Sequence, residues 1–169
     1  MTGVFEQIFG NVKPTKEELP MRDSQTEIIT DWSAYAPYFN PKVDTRLACR
    51  TTGNLAMRKG FMDRMLKLRK MCDFPFIVTS AYRDPTHPEE ARKNKPGAHA
   101  LGVAMDIHVI TERAWKVIEI ANQLGFTACG VSQKGDFSGR FIHLDSARSE
   151  DGLPRPTTGD NNTKVFYTY

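Results

Sequence analysis

The chain has 169 residues, of which 40% are hydrophobic and 25% charged, so it can form one domain with a sizeable core and needs no disulfide bonds. Its formal net charge of +3 at pH 7 is compatible with an anionic polymer as partner, but it does not require a nucleic acid. No segment approaches the roughly 18 consecutive apolar residues of a membrane span, which argues against an integral membrane protein.

The N-terminal part of the sequence has the composition of a loop. Residues 1–20 lack a basic segment followed by an apolar run, so we expect no secretory signal and a product that is cytoplasmic as synthesised. Residues 1–45 are polar and proline-rich, which predicts an irregular arm packed on, or extending from, a domain over residues 46–169. The three cysteines show no CxxC spacing and are expected to be free thiols: Cys49, Cys72 and Cys129.

The next segment has the pattern of an amphipathic helix. Between Gly53 and Met71 the apolar residues recur at steps of three and four, and lysines and arginines fill most other positions. A nucleic-acid patch is one interpretation of that basic face, but a solvated helix surface is several times more common. After this helix, Phe76–Val78 predict a short buried strand, and the proline-rich residues 84–97 predict a loop with at most one helical turn.

Strands are predicted through the rest of the chain. Alternating residues predict a strand over Val103–Ile110, and apolar residues at helical spacing predict a helix from Thr111 to Gly125. Further strands are expected near Val131 and over Arg140–Asp145, and the aromatic residues 165–169 are compatible with an edge strand. Because only one helix separates successive strands, the pattern favours an α+β domain, with a small antiparallel sheet and flanking helices, over βαβ repeats.

Three polar residues occupy positions where a packed sheet would prefer apolar ones. Asp106 lies in the middle of an alternating strand, where a buried carboxylate is costly unless it is paired or bound to a metal. His143 lies in a similar position, and a turn at Gly102 can bring His99 back beside Asp106. Two imidazoles and a carboxylate suit Zn²⁺ with a fourth position left for water, whose pKa such a site can lower to about 7. A single histidine in a strand is more often a hydrogen-bonded core residue. Two histidines and an aspartate on adjoining segments favour a metal site.

Other side chains near these segments have two interpretations each. His108 is a rival metal ligand because it shares a strand face with the carboxylate, and it could equally be an exposed residue at a strand end. Asp145 is placed to orient a ligand imidazole. Arg83 could clamp a substrate carboxylate or stabilise a developing oxyanion, and the alternative is a surface ion pair with Asp84 or Glu89.

Three motifs stand out: Ser80-x-Tyr82-Arg83, His99-x-x-Gly102-x-Ala104-x-Asp106-Ile107 and His143-x-Asp145. Together they closely resemble the zinc D-Ala-D-Ala carboxypeptidase family, whose relatives include D-Ala-D-Ala dipeptidases and bacteriophage L-alanyl-D-glutamate endopeptidases. The resemblance implies a hedgehog/D-Ala-D-Ala-peptidase-like fold and a Zn²⁺ ion bound by His99, Asp106 and His143. It also implies that Arg83 contacts the substrate near the scissile carbonyl.

One position departs from the family pattern. Members often carry a catalytic Glu or Asp three residues before the last histidine, where this chain has Arg140. Another carboxylate would then have to handle the proton in catalysis. The candidates are Asp136, in a loop flanked by glycines, and Asp145.

The resulting hypothesis is a hydrolase: a zinc metallopeptidase, either carboxypeptidase or endopeptidase, that acts on D-amino-acid-containing stem peptides of peptidoglycan and binds neither nucleic acid nor membrane. The expected lack of a secretion signal fits a phage lysin (endolysin) or virion-associated enzyme that degrades the cell wall after lysis or from the particle. The alternative is a non-catalytic, zinc-stabilised structural or binding module, such as a phage particle component that keeps the peptidase fold. Arg140 favours this alternative.

Overall fold

The structure, a computed structural model, describes residues 26–160 and 162–169. Within these residues the strands are β1 (Ile77–Ser80), β2 (Ala104–His108), β3 (Ala128–Ser132), β4 (Phe141–Asp145) and β5 (Val165–Thr168). The α-helices are α1 (Lys59–Cys72), α2 (Pro88–Ala91) and α3 (Thr111–Gln123), joined by loops that contain short 3₁₀ turns. None of the described helices combines the length and the apolar character that a bilayer crossing needs.

The strands form one sheet in the order β1-β2-β4-β3-β5, which confirms the predicted α+β class. The pairs β1–β2, β2–β4 and β3–β4 are antiparallel, whereas β5 runs parallel to β3. The sheet is therefore mixed, and the expectation of a purely antiparallel sheet needs this one correction. A long loop follows β4, so the chain can cross over and add its last strand in the same direction as β3.

The two faces of the sheet have different roles. On one face, fully buried side chains alternate along β2 and β4 and pack toward α1 and α3: Met105, Ile107, Ile142 and Leu144. Because successive residues of a strand point to opposite faces, Asp106 and His143 lie on the face away from these helices. The helices therefore cover the core face and leave the polar face to the loops.

Helix α1 begins later than its pattern predicts. The apolar spacing suggested a helix from Gly53, but the helix begins at Lys59 and ends at Cys72. The preceding residues are held in extended form because Arg58 N donates to Gly102 O at 2.9 Å and Lys59 N donates to Glu27 O at 2.8 Å. The helix packs against α3 and buries its apolar stripe in the common core: Phe61, Met62, Met65 and Leu68.

The described part of the N-terminal arm packs on the core. Ile29, Tyr35 and Phe39 are buried, and the Tyr35 hydroxyl donates a 2.7 Å hydrogen bond to Asp63 on α1. Residues 1–25 of the predicted arm lie outside the described residues, and the domain boundary at residue 46 stays a prediction. The three cysteines are free thiols, as their spacing predicted.

Candidate metal centre

The side chains of His99, Asp106 and His143 converge on one buried point. Their ligand atoms all lie within 4.8 Å of one another. His143 Nδ1 is 2.8 Å from Asp106 Oδ1 and 3.2 Å from His99 Nε2, and His99 Nε2 is 3.3 Å from Asp106 Oδ1. Each residue is no more than 6% exposed. The structure thus brings together the three residues that the sequence proposed as metal ligands.

The sheet register and one glycine turn create this convergence. Asp106 on β2 pairs directly with His143 on β4, so both side chains project from the same face at the same height. Gly102 has a φ of +71°, and the turn there brings His99 back beside β2. A Cβ atom at Gly102 would collide with the carbonyl oxygen of Ala56, so only glycine fits this turn.

Each imidazole forms a hydrogen bond through the ring nitrogen that points away from the centre. This bond fixes which nitrogen faces the centre. His99 Nδ1 lies 2.6 Å from the carbonyl oxygen of Ala81, an acceptor, so Nδ1 carries the proton and Nε2 presents its lone pair. His143 Nε2 lies 3.1 Å from Asp145 Oδ2, so this nitrogen donates and Nδ1 faces Asp106. Such outer hydrogen bonds fix the tautomer and orientation of metal-binding histidines.

Asp145 is anchored in turn by a residue that the sequence analysis missed. Arg155 donates to Asp145 through Nη2 at 2.8 Å and Nε at 3.1 Å, and Thr127 Oγ1 donates at 3.2 Å. Arg155 lies on the loop after β4, between two prolines, and no motif marks it. Both oxygens of Asp145 are therefore engaged: Oδ2 orients His143, and Oδ1 accepts from Arg155 and Thr127.

The electrostatics of the centre favour a bound positive charge. Burial lowers the pKa of His99 despite the attraction of Asp106, which favours the neutral imidazole that metals bind. Burial would also lower the pKa of His143, but its hydrogen bonds to Asp106 and Asp145 outweigh burial and raise it. Burial would raise the pKa of Asp106, but both histidines outweigh it and hold that pKa well below its usual range. The carboxylates thus stabilise a cation at this point.

Arg83 follows β1 and joins the same cluster. Its Nη2 donates to Asp106 Oδ2 at 3.1 Å, and its Nε donates to Ser80 Oγ at 3.0 Å. The ion pair of Arg83 is made with Asp106, and not with Asp84 or Glu89 as the surface alternative required. Arg83 is therefore placed beside the metal-ligand candidates, as its proposed substrate contact needs.

The sequence profile of the family described as peptidase M15 matches residues 37–145. The chain belongs to the peptidase M15 family. This match covers the three motifs and confirms the resemblance to the zinc D-Ala-D-Ala carboxypeptidase family, which makes the protein a metallopeptidase by family. No curated protein matches the chain.

The donor set of this M15 peptidase fits a divalent metal ion. Two imidazole nitrogens and one carboxylate oxygen face a common point, and their other polar atoms have protein partners. Imidazole and carboxylate are ligands that zinc takes in open catalytic sites. The chemistry and the burial of these residues therefore match the group that the family implies.

Two other sequence candidates lie elsewhere in this M15 peptidase. His108 Nδ1 donates to the backbone oxygen of Arg140 at 2.7 Å, so this nitrogen holds the start of β4. His108 is not part of the cluster. Asp136 is an exposed residue that caps its own turn, accepting from Ser138 N at 2.9 Å and Ser138 Oγ at 3.1 Å. The structure shows no contact between Asp136 and the three ligand candidates, and its proposed catalytic role stays a prediction.

Arg140 occupies the position where related peptidases often carry an acid. Its guanidinium donates to Gly135 O through Nη2 at 2.9 Å and lies 4.2 Å from the centre of the Phe137 ring. These contacts tie Arg140 to the turn that precedes β4. Arg140, which replaces the usual acid, therefore stabilises the loop beside the site.

An aromatic wall also borders the centre, and the sequence analysis did not assign it. Tyr167 on β5 lies with its ring centre 5.8 Å from that of His143. The Tyr169 ring packs against the Phe141 ring with 4.9 Å between ring centres and an angle of 50° between the ring planes. The alternation over 165–169 puts both tyrosines on one strand face, and this was the available signal. Which face they share depended on the pairing of β5 with β3.

Proposed function

We propose that this protein is a zinc-dependent peptidase that hydrolyses D-amino-acid-containing peptide bonds of bacterial peptidoglycan. The observation that carries the proposal is the convergence of His99, Asp106 and His143, in which each imidazole is oriented by a hydrogen bond to its outer ring nitrogen. Outer hydrogen bonds of this kind fix the orientation of metal-binding histidines. The resemblance to peptidoglycan peptidases supports the substrate class.

The residues of the centre would divide the chemistry among them. A zinc ion bound by the three ligands would supply a Lewis acid for the scissile carbonyl and an activated water as nucleophile. Arg83 keeps further N–H donors beyond those given to Asp106 and Ser80, and these would stabilise the oxyanion of the transition state. Asp145 would hold the His143 ring in place throughout the reaction.

Proton transfer needs a carboxylate, and Asp136 is our first choice. Asp145 is the second choice, but its oxygens already accept from His143, Arg155 and Thr127. Asp136 lies on a turn that starts after Gly135, whose φ is +70°. The end of this turn and the first residue of β4 (residues 138–141) line the cleft beside Asp106. A movement of this turn would carry the Asp136 carboxylate toward the cleft.

The variant Asp136→Asn tests this assignment. Asparagine keeps the turn cap, so zinc content and melting temperature should stay near wild type while peptide cleavage is lost. The matched control is Asp160→Asn, since Asp160 caps another exposed turn by accepting from Asn162 N and Thr163 N. Full activity of Asp136→Asn would exclude Asp136 as the proton carrier.

The cellular setting forms part of the same proposal. We propose a phage lysin or virion-associated enzyme that is cytoplasmic as synthesised and reaches the wall after lysis or as part of a particle. Its proposed partners are stem peptides of peptidoglycan, and neither nucleic acid nor membrane. The resemblance of the motifs to a family whose relatives include bacteriophage L-alanyl-D-glutamate endopeptidases supports this setting.

A second candidate function is a non-catalytic, zinc-stabilised structural or binding module of a phage particle. Arg140 favours it, because the position of the usual acid carries a guanidinium bound to Gly135. Digestion of purified peptidoglycan by zinc-loaded protein, followed by mass spectrometry of the released termini, separates the two functions. His143→Ala is the control for contaminating hydrolases. Full zinc occupancy without cleavage of any wall preparation would favour the structural module.

A further inference from the structure

A strongly basic cleft of about 400 Å³ opens beside Asp106. Its wall includes four arginines: Arg46, Arg50, Arg83 and Arg140. The carboxylates in the same wall are Asp106, a proposed metal ligand, and Glu89, which already pairs with Arg92 at 2.7 Å. The volume is within the range of small-molecule sites, and the excess of positive charge favours an anionic occupant.

Backbone pairing holds Arg46 and Arg50 at this wall. Ala81 N donates to Arg46 O at 3.1 Å, which joins the Arg46 segment to the chain just after β1. Cys49 N donates to Asn54 O at 2.8 Å and closes a turn around Arg50. Asn54 Nδ2 then donates to Asp84 at 2.6 Å, beside Arg83. The two arginines are thus carried on a segment fixed to the loop that bears Arg83.

Within the described part of the chain, Arg46 and Arg50 have no ion-pair partner, although the Asp44 carboxylate attracts the charge of Arg46. Among the described residues, neither side chain forms an ion pair with a carboxylate, and Arg46 donates only a long 3.4 Å hydrogen bond to Thr79 O. Arg83 differs, because it is engaged with Asp106. Two guanidinium groups with spare donors in one wall suit a carboxylate, which they can bind through paired hydrogen bonds.

Arg46 and Arg50 also stand between two cavities. A neighbouring cavity of about 440 Å³ shares both arginines and continues along Pro41, Thr45 and Gly53. An extended peptide held at the metal centre could therefore run past both guanidinium groups.

We propose that Arg46 and Arg50 form an anion subsite that binds a carboxylate of the peptide substrate at a set distance from the cleaved bond. This inference rests on the proposed peptidase function and adds a preference for acidic peptides. The carboxylate comes either from the C-terminus of the peptide or from an acidic residue within it. Because neither arginine belongs to the proposed ligand set or contacts it through a hydrogen bond, the subsite contributes to substrate binding in the ground state and the transition state alike.

Matched peptides test the subsite on the zinc-loaded protein. The reference is a stem peptide with D-glutamate and a C-terminal D-alanine, and the two comparison peptides carry an amide in place of one carboxylate each. For the peptide with both carboxylates, Arg50→Gln and Arg46→Gln should raise KM about 10-fold or more and leave kcat near wild type. The amidated peptide that is insensitive to the variants identifies which carboxylate is bound.

The matched control is Arg113→Gln, because Arg113 lies over Phe74 and not in the cleft. This variant should leave KM unchanged for every peptide. The subsite is overturned if Arg46→Gln and Arg50→Gln keep the wild-type KM, or if they raise KM equally for all three peptides. If wild type cleaves no peptide, the proposed function fails, and calorimetric titration of the same peptides onto the same proteins then decides the subsite separately. Equal affinity of wild type and the Arg50 variant would overturn it.

Discussion

Gly130 on β3 lies directly beneath the ring of Tyr167 on β5. A methyl group built at Gly130 would lie 2.5 Å from the nearest ring carbon of Tyr167. Gly130 also pairs with His143 across the β3–β4 ladder, so the missing side chain lets the tyrosine reach over one strand to the imidazole. The C-terminal strand thereby supports the metal centre from the side.

Gly130→Ala is expected to push the Tyr167 ring away from His143 and to weaken metal binding. Loss of supporting contacts around a metal ligand commonly costs about 10- to 100-fold in affinity, and we expect the lower end because no hydrogen bond is lost. Zinc affinity is measured by competition with a chromogenic chelator. Gly139→Ala is the control, since a Cβ there meets no atom within 4 Å. Equal affinity in both variants would show that Tyr167 does not support the centre.

His99→Ala should lose the metal, whereas His108→Ala should keep it. His99 Nε2 faces the centre, while His108 Nδ1 donates to the backbone of Arg140. Elemental analysis of protein purified without added metal gives the occupancy. Zinc at 1,000 times its Kd should stabilise wild type by about 4 kcal/mol, and this gain should vanish in His99→Ala. The reverse result would assign the ligand role to His108.

Arg83→Ala is expected to lower kcat on a wall-derived peptide by about 100-fold, because one donor to the developing oxyanion is lost. Zinc should remain bound, since Arg83 makes no metal bond. Because Arg83 also forms an ion pair with the proposed ligand Asp106, the zinc occupancy of the variant must be measured in the same sample. Unchanged kinetics at full occupancy would restrict Arg83 to holding the Asp106 carboxylate.

Arg155→Ala should destabilise the metal-free protein by about 3 kcal/mol, because it leaves the fully buried Asp145 carboxylate without its cationic partner. Urea unfolding at pH 7 measures the change. The control is Arg92→Ala, which breaks an exposed pair with Glu89 and should cost less than about 1 kcal/mol. Similar losses in the two variants would contradict a special role for the Asp145–Arg155 pair.

Glu90→Gln should have a pH-dependent effect on stability. Burial would raise the pKa of Glu90, but hydrogen bonds from Lys93 and from Gly97 N outweigh it and lower that pKa. A lowered folded-state pKa adds stability above the unfolded pKa of about 4.3, and this stability is lost as the pH falls through the folded value. Wild type should therefore exceed the variant by about 1 to 3 kcal/mol at pH 7 in urea unfolding. The difference should shrink below pH 4, and a difference that stays constant would refute the linkage.

Local pattern was sufficient for much of this protein. Apolar periodicity located α1 and α3, and alternation located β2 and β4, because burial on one face imposes the period of each element. The same alternation placed Asp106 and His143 in the middle of strands, where a buried polar side chain needs a partner. The motif around Gly102 then added His99 to the proposed ligand set. The ligand set and the family could therefore both be predicted from sequence motifs.

The remaining features depend on contacts between segments that are distant in the chain. The late start of α1 follows from the pairing of Arg58 with Gly102, and the parallel direction of β5 follows from a long crossover. No local pattern marks the contact of Arg155 with Asp145, and the alternation over residues 165–169 does not show that Tyr167 lies over His143, because strand register and loop closure set these partners. The sequence alone therefore determined which residues could bind a metal. The tertiary structure decided which groups hold them in place and which arginines line the cleft, because only the folded chain sets distances between side chains on different elements.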